Sequence, residues 1–224
     1  MQVAEKAREG GFGAILFDMD GVIVDSMRHH ADCWIRVFAE HGVSLSAEDI
    51  FLREGMSGID SIVDIFRSKG GRVPAPDEMR LLQERKHELF ERRPIDVFPG
   101  MEEMLVYLAG KGVVLGLVTG SLRRSVGHVL PAGLMGLFRS VITVDDIENG
   151  KPHPEPYLKG LHDVGFPPEK ALVVENAPLG ISSARAAGLR CFAIATTLAP
   201  VYLETADRVF PSHAEFYSYM REIF

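Results

Sequence analysis

The sequence is short of cysteine, of clustered positive charge and of long apolar runs, and each shortage removes a class of function. Cys33 and Cys191 are the 2 cysteines of the 224-residue chain. They lie far apart, at neither a metal-ligand nor a redox spacing, so they read as buried small hydrophobes in a reducing compartment. Lys and Arg number 24 against 31 Asp and Glu, a net charge of -7. No stretch clusters its basic residues into the face that nucleic acid requires. The nearest pair, Arg123-Arg124, reads as the exposed start of a helix. No apolar run has the length of a membrane span. Met1 to Gly11 lacks the apolar centre of a secretory signal, so it is expected to be a ragged leader on a cytosolic chain. Internal repeats and low-complexity tracts are absent. What is present is ordinary globular material, 46% hydrophobic and 25% charged, enough for a core without staples. Nothing in it requires more than a monomer.

Short apolar runs set the architecture. Ala14 to Phe17 ends in Asp18-Met19-Asp20-Gly21, a buried strand followed by a loop. Further runs fall at 113–118, 141–144, 171–174 and 191–195, separated by helical patterns at 101–111, 122–130, 154–164 and 178–187. Strands alternating with helices predict a parallel sheet with right-handed crossovers. Residues 27–93 show no convincing strand. Helical periodicity covers His30 to His41, Ile59 to Lys69 and Pro76 to Glu91. The expected fold is therefore α/β, with a Rossmann-like parallel-sheet core over 12–26 and 95–224. A small helical-bundle cap over 27–94 is inserted after the first strand, with hinges near Ser26 and at 94–99.

Ligands in such sheets bind at the carboxyl ends of the strands. Four polar clusters fall there: Asp18/Asp20, Thr119/Ser121, Asp145/Asp146 with nearby Lys151, and Glu175/Asn176. A carboxylate can serve as nucleophile toward phosphorus. It then needs a hard cation such as Mg²⁺ and a positive side chain beside it. Lys151 suits the second need, and the Thr119 hydroxyl with the close backbone at Gly120 suits phosphate oxygens. Each cluster alone has a plainer reading as a turn or a cap. An EF-hand from Asp18 fails, because its twelfth position is His29. His29 and His30 read as polar surface and Trp34 as helical core. The four clusters in order, each after a strand, are harder to explain as turns.

These stretches resemble the motifs of the haloacid dehalogenase superfamily, within it the β-phosphoglucomutase-like group. They are Phe17-Asp18-Met19-Asp20-Gly21-Val22-Ile23-Val24-Asp25-Ser26, Val118-Thr119-Gly120-Ser121, Gly150-Lys151-Pro152-His153-Pro154 and Val174-Glu175-Asn176-Ala177-Pro178-Leu179-Gly180-Ile181. The resemblance covers nearly the whole chain after residue 12. It implies that Asp18 attacks phosphorus and becomes an aspartyl-phosphate. Asp20 would protonate the leaving group, activate water and lend its main-chain carbonyl to Mg²⁺. Thr119 and Lys151 would hold the transferring group, and Asp18, Asp20, Glu175 and Asn176 would form the metal side. Many relatives carry Asp where this chain has Asn176, one negative charge fewer beside the metal.

The loop Leu52-Arg53-Glu54-Gly55-Met56-Ser57-Gly58 bears on the substrate. In β-phosphoglucomutases the corresponding loop resembles Lys-Gly-x-Ser-Arg. Here Glu54 and Gly58 stand at the two cationic positions, with Arg53 adjacent. Mutase activity is therefore disfavoured, and Arg53 is the one residue that could compensate. A Glu facing phosphate oxygens suits a small, metal-complexed substrate. Glu-Gly in this loop together with Glu-Asn-Ala-Pro-Leu-Gly is similar to group members that hydrolyse inorganic pyrophosphate. The expected activity is Mg²⁺-dependent hydrolysis of pyrophosphate, with Glu54, Arg53, Gly120 and Ser121 around the substrate. A sugar-phosphate phosphatase is the alternative, and a degenerate phospholigand-binding protein is the non-enzymatic one.

Overall fold

A computed structural model describes residues 11–224. The expectation for the leader falls almost wholly outside them. Six parallel strands, β1 (Ala14–Phe17), β2 (Val114–Val118), β3 (Phe138–Ile142), β4 (Ala171–Glu175), β5 (Arg190–Ile194) and β6 (Arg208–Phe210), form one sheet in the order β3-β2-β1-β4-β5-β6. This is the Rossmann order, and its reversal point lies between β1 and β4.

Strand periodicity sends alternate side chains to opposite faces. Ile15 and Phe17 enter one apolar cluster, and Ala14 and Leu16 the other. Leu172 and Val174 of β4 join the first, Ala171 and Val173 the second. The first face is covered by α5 (Met101–Gly110), α6 (Arg123–Val129) and α10 (His213–Ile223), through Met104, Leu108, Val126, Phe216 and Met220. The second is covered by α8 (Glu155–Val164) and α9 (Pro178–Ala186), through Tyr157, Leu161, Ile181 and Ala184. A short α7 (Ala132–Met135) precedes β3. A strand covered on both faces reads as a continuous apolar run, and β1 and β4 do.

Between β1 and β2 the chain forms α1 (Met27–Ala39), α2 (Ala47–Phe51), α3 (Gly58–Ser68) and α4 (Pro76–Phe90), with no strand of the sheet among them. Ser46 and Asp49 close a capping box at the start of α2, and Ser57 caps α3. Val37, Phe38, Ile62, Ile65, Leu82 and Phe90 pack these helices into the same cluster that covers the first face. The chain leaves and rejoins the sheet domain along one antiparallel crossing. Asp25 N–H donates to the Asp96 carbonyl (2.9 Å) and Phe98 N–H to that of Ile23 (2.9 Å).

Five elements depart from the sequence reading. β3 begins at Phe138 rather than 141, and α2, α7, β6 and α10 were not anticipated. β3 and β6 are the two edges of the sheet. An edge strand has one partner and half-wet faces, so its apolar residues are interrupted: β3 reads Phe-Arg-Ser-Val-Ile.

Candidate active site

The carboxyl ends of β1, β2 and β4 gather the side chains, because parallel pairing puts those ends side by side. Lys151 reaches in from the loop before α8. Its Nζ donates to Asp18 Oδ1 at 2.6 Å, to Glu175 Oε1 at 2.7 Å and to the Val118 carbonyl at 3.2 Å. The ammonium is 3% exposed by residue, so it has exchanged water for these three acceptors. Burial alone would lower its pKa; Asp18 and Glu175 more than reverse that, and Lys151 is held charged. Burial pushes the Asp18 carboxyl well above its usual range, Lys151 opposes, and Glu175 and Asp20 push the same way as burial. The site therefore carries more negative charge than its lysine offsets.

Asp20 faces a different set of partners. Its Oδ1 accepts from Ser26 Oγ (2.5 Å) and His30 Nε2 (3.1 Å). Its Oδ2 accepts from Ser121 Oγ (2.9 Å) and Thr119 Oγ1 (3.4 Å). Burial pulls this carboxyl upward, but His30, then Ser26 and Ser121, hold it well below the usual range. Asp20 is thus kept ionised. Ser121 N–H in turn donates to Thr119 Oγ1 (3.0 Å), which fixes that hydroxyl.

Two of the expected clusters have partners of their own. Both oxygens of Glu175 are hydrogen-bonded. Its Oε1 accepts from Lys151 and Tyr157 Oη (2.7 Å), and its Oε2 from the N–H groups of Asn176 (3.0 Å) and Ala177 (3.3 Å). It is an anchor that holds Lys151. The Asp145/Asp146 cluster organises a turn instead of joining the site. Asp145 accepts from Arg123 N–H, and Asp146 from Thr143 and the Arg123 guanidinium.

The loop after α2 closes over these groups. A side-chain carbon added at Gly120 would lie 3.2 Å from the Gly55 carbonyl oxygen, and one at Gly55 3.0 Å from Lys151 Cδ. Gly55 has φ +93°, so the loop needs a glycine for its conformation as well as for its approach. Next to it, Glu54 reaches Asn176 Nδ2 with both carboxylate oxygens, at 3.0 and 3.1 Å. Burial first, then Asp18 and Glu175, push the Glu54 carboxyl well above its usual range, against the Asn176 hydrogen bond. Arg53 borders the same cavity, but its guanidinium is tied to Asp64 (2.8 Å), the Asp49 carbonyl (2.6 Å) and Ser68 (3.1 Å). It is therefore not available as a replacement for the missing mutase cations.

The family model of the haloacid dehalogenase-like hydrolases matches residues 15–194. The chain belongs to this family. It is 32% identical over 195 residues to validoxylamine A 7'-phosphate phosphatase of Streptomyces hygroscopicus subsp. limoneus, covering 86% of this chain and 90% of the relative. It is 29% identical to pyrophosphatase PpaX of Oceanobacillus iheyensis, over 82% of this chain and 84% of that protein. Among solved structures, a candidate β-phosphoglucomutase from Bacteroides vulgatus superposes with a TM-score of 0.87 at 33% identity, covering 98% and 97% of the two chains. The protein is a haloacid dehalogenase-type phosphatase, with the sheet order and helices of that fold.

Whether the site fits the Mg²⁺ of such hydrolases can be tested on its donors. Among the described residues, no three His, Cys, Asp or Glu side chains are arranged to hold a metal ion. Of the four buried side-chain oxygens without a hydrogen-bond partner among the described residues, two belong to this site, Asp18 Oδ2 and Asn176 Oδ1; the others are the hydroxyls of Tyr217 and Tyr219. Orphaned buried oxygens are costly unless something takes their lone pairs. Those of Asp18 and Asn176 are hard donors in a site with surplus negative charge, which suits a divalent oxygen-seeking cation. The donor set that fits is one carboxylate and one amide, with the Asp20 main-chain carbonyl that the family resemblance adds.

The sequence reading placed His30 on the surface. Instead His30 stacks on Phe90 (4.2 Å between ring centroids) and donates from Nε2 to Asp20, while its Nδ1 accepts from Lys86 Nζ (2.8 Å). Its partners select the neutral Nε2–H tautomer, and burial and Lys86 lower its pKa. A signal for Lys86 was present. Leu82, Lys86, Leu89 and Phe90 share one helical stripe, so the period places a lysine on a buried face. Burial lowers the Lys86 pKa to about 8, with Asp20 opposing. The kcat/KM profile is expected to fall above about pH 8 as this ammonium is lost. Lys86→Met should give a slower enzyme without that alkaline limb; persistence of the limb would assign it to another group.

Proposed function

We propose that the chain hydrolyses inorganic pyrophosphate through an aspartyl-phosphate on Asp18, with Mg²⁺ held by Asp18, the Asp20 carbonyl and Asn176. The observation that carries this reading is Glu54, a carboxylate inserted beside Asp18 and Asn176 in a cavity of about 100 Å³. The carboxylate takes room that an organic leaving group needs, whereas a second phosphate group with its metal is compact.

The chemistry follows from the residues. The Asp18 carboxylate attacks phosphorus, the phosphoryl group passes to it, and the leaving phosphate departs on the opposite side. Lys151 offsets charge on the phosphoryl oxygens, and the Thr119 hydroxyl and nearby main chain orient them. A cation held by Asp18, Asn176 and the Asp20 carbonyl would supply further charge neutralisation. Asp20 then takes a proton from the water that cleaves the aspartyl-phosphate. An Asp20 held ionised is ready for this second role and poor at donating a proton in the first. A phosphate leaving group tolerates that, since it is a far weaker base than an alkoxide. An alkoxide does not. The helical segment carrying Glu54 acts as a cap that excludes water during transfer. The two buried free cysteines suit the reducing cytosol proposed for it.

One observation favours a second reading. Trp34, Ile50, Met56 and Ile65 give the cavity an apolar wall, which suits the carbon skeleton of a small organic phosphate. Phosphate release with Mg²⁺ from pyrophosphate and from a panel of polyol and sugar phosphates separates the two. Pyrophosphate is expected to lead by at least about tenfold, and Glu54→Ala to erase that lead. An organic substrate preferred by wild type and Glu54→Ala alike would establish the metabolite phosphatase instead.

A further inference from the structure

An amide can ligate a cation with only one of its two ends. Where relatives have Asp, either carboxylate oxygen serves. Asn176 rotated by half a turn would present its NH₂ group to the metal. Something must set the rotation.

Asn176 Nδ2 donates to the Glu54 carboxylate and to Thr197 Oγ1, the latter at 3.0 Å, so both its hydrogens are taken. A hydroxyl by itself would not fix the amide, since it can donate or accept. Here its direction is imposed from further along. Thr196 Oγ1 donates its one hydrogen to the Gly21 main-chain carbonyl at 2.6 Å. A carbonyl only accepts, so Thr196 Oγ1 can only accept from its other neighbour, Thr197 Oγ1 at 3.4 Å. Thr197 therefore spends its hydrogen on Thr196 and offers Asn176 a lone pair. The chain of donors runs one way, from Asn176 to Thr197 to Thr196 to Gly21. Oδ1 is left buried and without a partner. Glu54 enforces the same rotation, but only while its loop is seated. Thr196 and Thr197 follow β5 and Gly21 follows β1, so the relay belongs to the sheet domain alone.

We propose that Thr197, polarised by Thr196, is a positioning residue that keeps the carbonyl end of Asn176 turned to the metal through the whole cycle. The inference rests on the metal-assisted reading above. It explains how this chain tolerates an amide where a carboxylate needs no orientation.

The test is Mn²⁺ binding to the full chain by electron paramagnetic resonance, without substrate. Wild type should bind. Thr197→Val should raise the dissociation constant about tenfold, the lower end for outer-shell changes at metal sites. Thr197→Ser should stay within about twofold of wild type. Thr196→Val, which touches no ligand, should weaken binding by an intermediate factor. In the Asn176→Asp background, Thr197→Val should change the constant by no more than about twofold, because no rotation remains to be set. In turnover assays the Thr197→Val defect should lie in the Mg²⁺ concentration for half-maximal rate, with kcat retained at saturation. An equal loss in the Asn176 and Asn176→Asp backgrounds would overturn the proposal, as would no loss in either. Failure of wild type to bind Mn²⁺ would overturn the metal reading beneath it.

Discussion

Asp18→Asn is expected to abolish phosphate release, by at least about four orders of magnitude, while raising the thermal midpoint. The first half follows from removing the nucleophile. The second follows from charge. The folded state holds the Asp18 proton more tightly than the unfolded chain does, because burial, Glu175 and Asp20 outweigh Lys151. That proton contributes stability fully below the ordinary carboxylate range, and the contribution is lost as pH rises through the raised folded value. Ionising this carboxyl in the folded state is thus a cost, which an amide of the same shape avoids. In metal-free buffer, wild type should lose more stability than the variant as pH rises above the ordinary carboxylate range. Each kcal/mol moves the midpoint of a chain this size by about 2–4 °C. A variant that still turns over would refute Asp18 as nucleophile. A lowered midpoint would show that the ion pair with Lys151 outweighs the repulsion.

Gly180→Ala should destabilise the protein by about 3–5 kcal/mol, the scale of breaking a buried ion pair. In an ordinary helix the change gains up to about 1 kcal/mol. Here an added carbon would lie 1.8 Å from Glu175 Oε1 and 2.0 Å from its carboxyl carbon. Glu175 cannot step aside without releasing Lys151, Tyr157 and two backbone N–H groups. The methyl group thus acts on Lys151 through Glu175, from the helix behind it. The midpoint should fall by about 10 °C, and phosphate release should fall with it. Gly127→Ala is the control, since nothing lies within 4 Å of its added carbon. Equal melting of the two variants would exclude the clamp.

What was legible in the sequence was whatever is buried on all sides or fixed by a short motif. β1 and β4 showed as unbroken apolar runs because helices cover both their faces. β3 and β6 were misplaced or missed because edges mix apolar and polar residues. Asp18, Lys151, Thr119 and Asn176, which the structure brings to one end of the sheet, could be named because local motifs carry them. His30 and Lys86 were not, since their meaning lies in a contact between α1 and α4 that no local pattern records. The partners of Glu175 were unreadable for a related reason. Its motif says that a carboxylate stands there, but the direction of that carboxylate depends on Tyr157 and Lys151 from another segment.

The placement of β1 also orders events on the ribosome. Ala14 pairs with Val114 on one side and Ala171 on the other. The strand leading to Asp18 is made before the other five, yet it waits until residue 114 for its first neighbour and residue 171 for its second. The four helices between β1 and β2 need no such wait, as local contacts form fastest. A nascent chain halted before residue 114 would therefore carry a helical unit beside an unpaired, wholly apolar strand. That strand is the segment a chaperone or a neighbouring nascent chain would meet first.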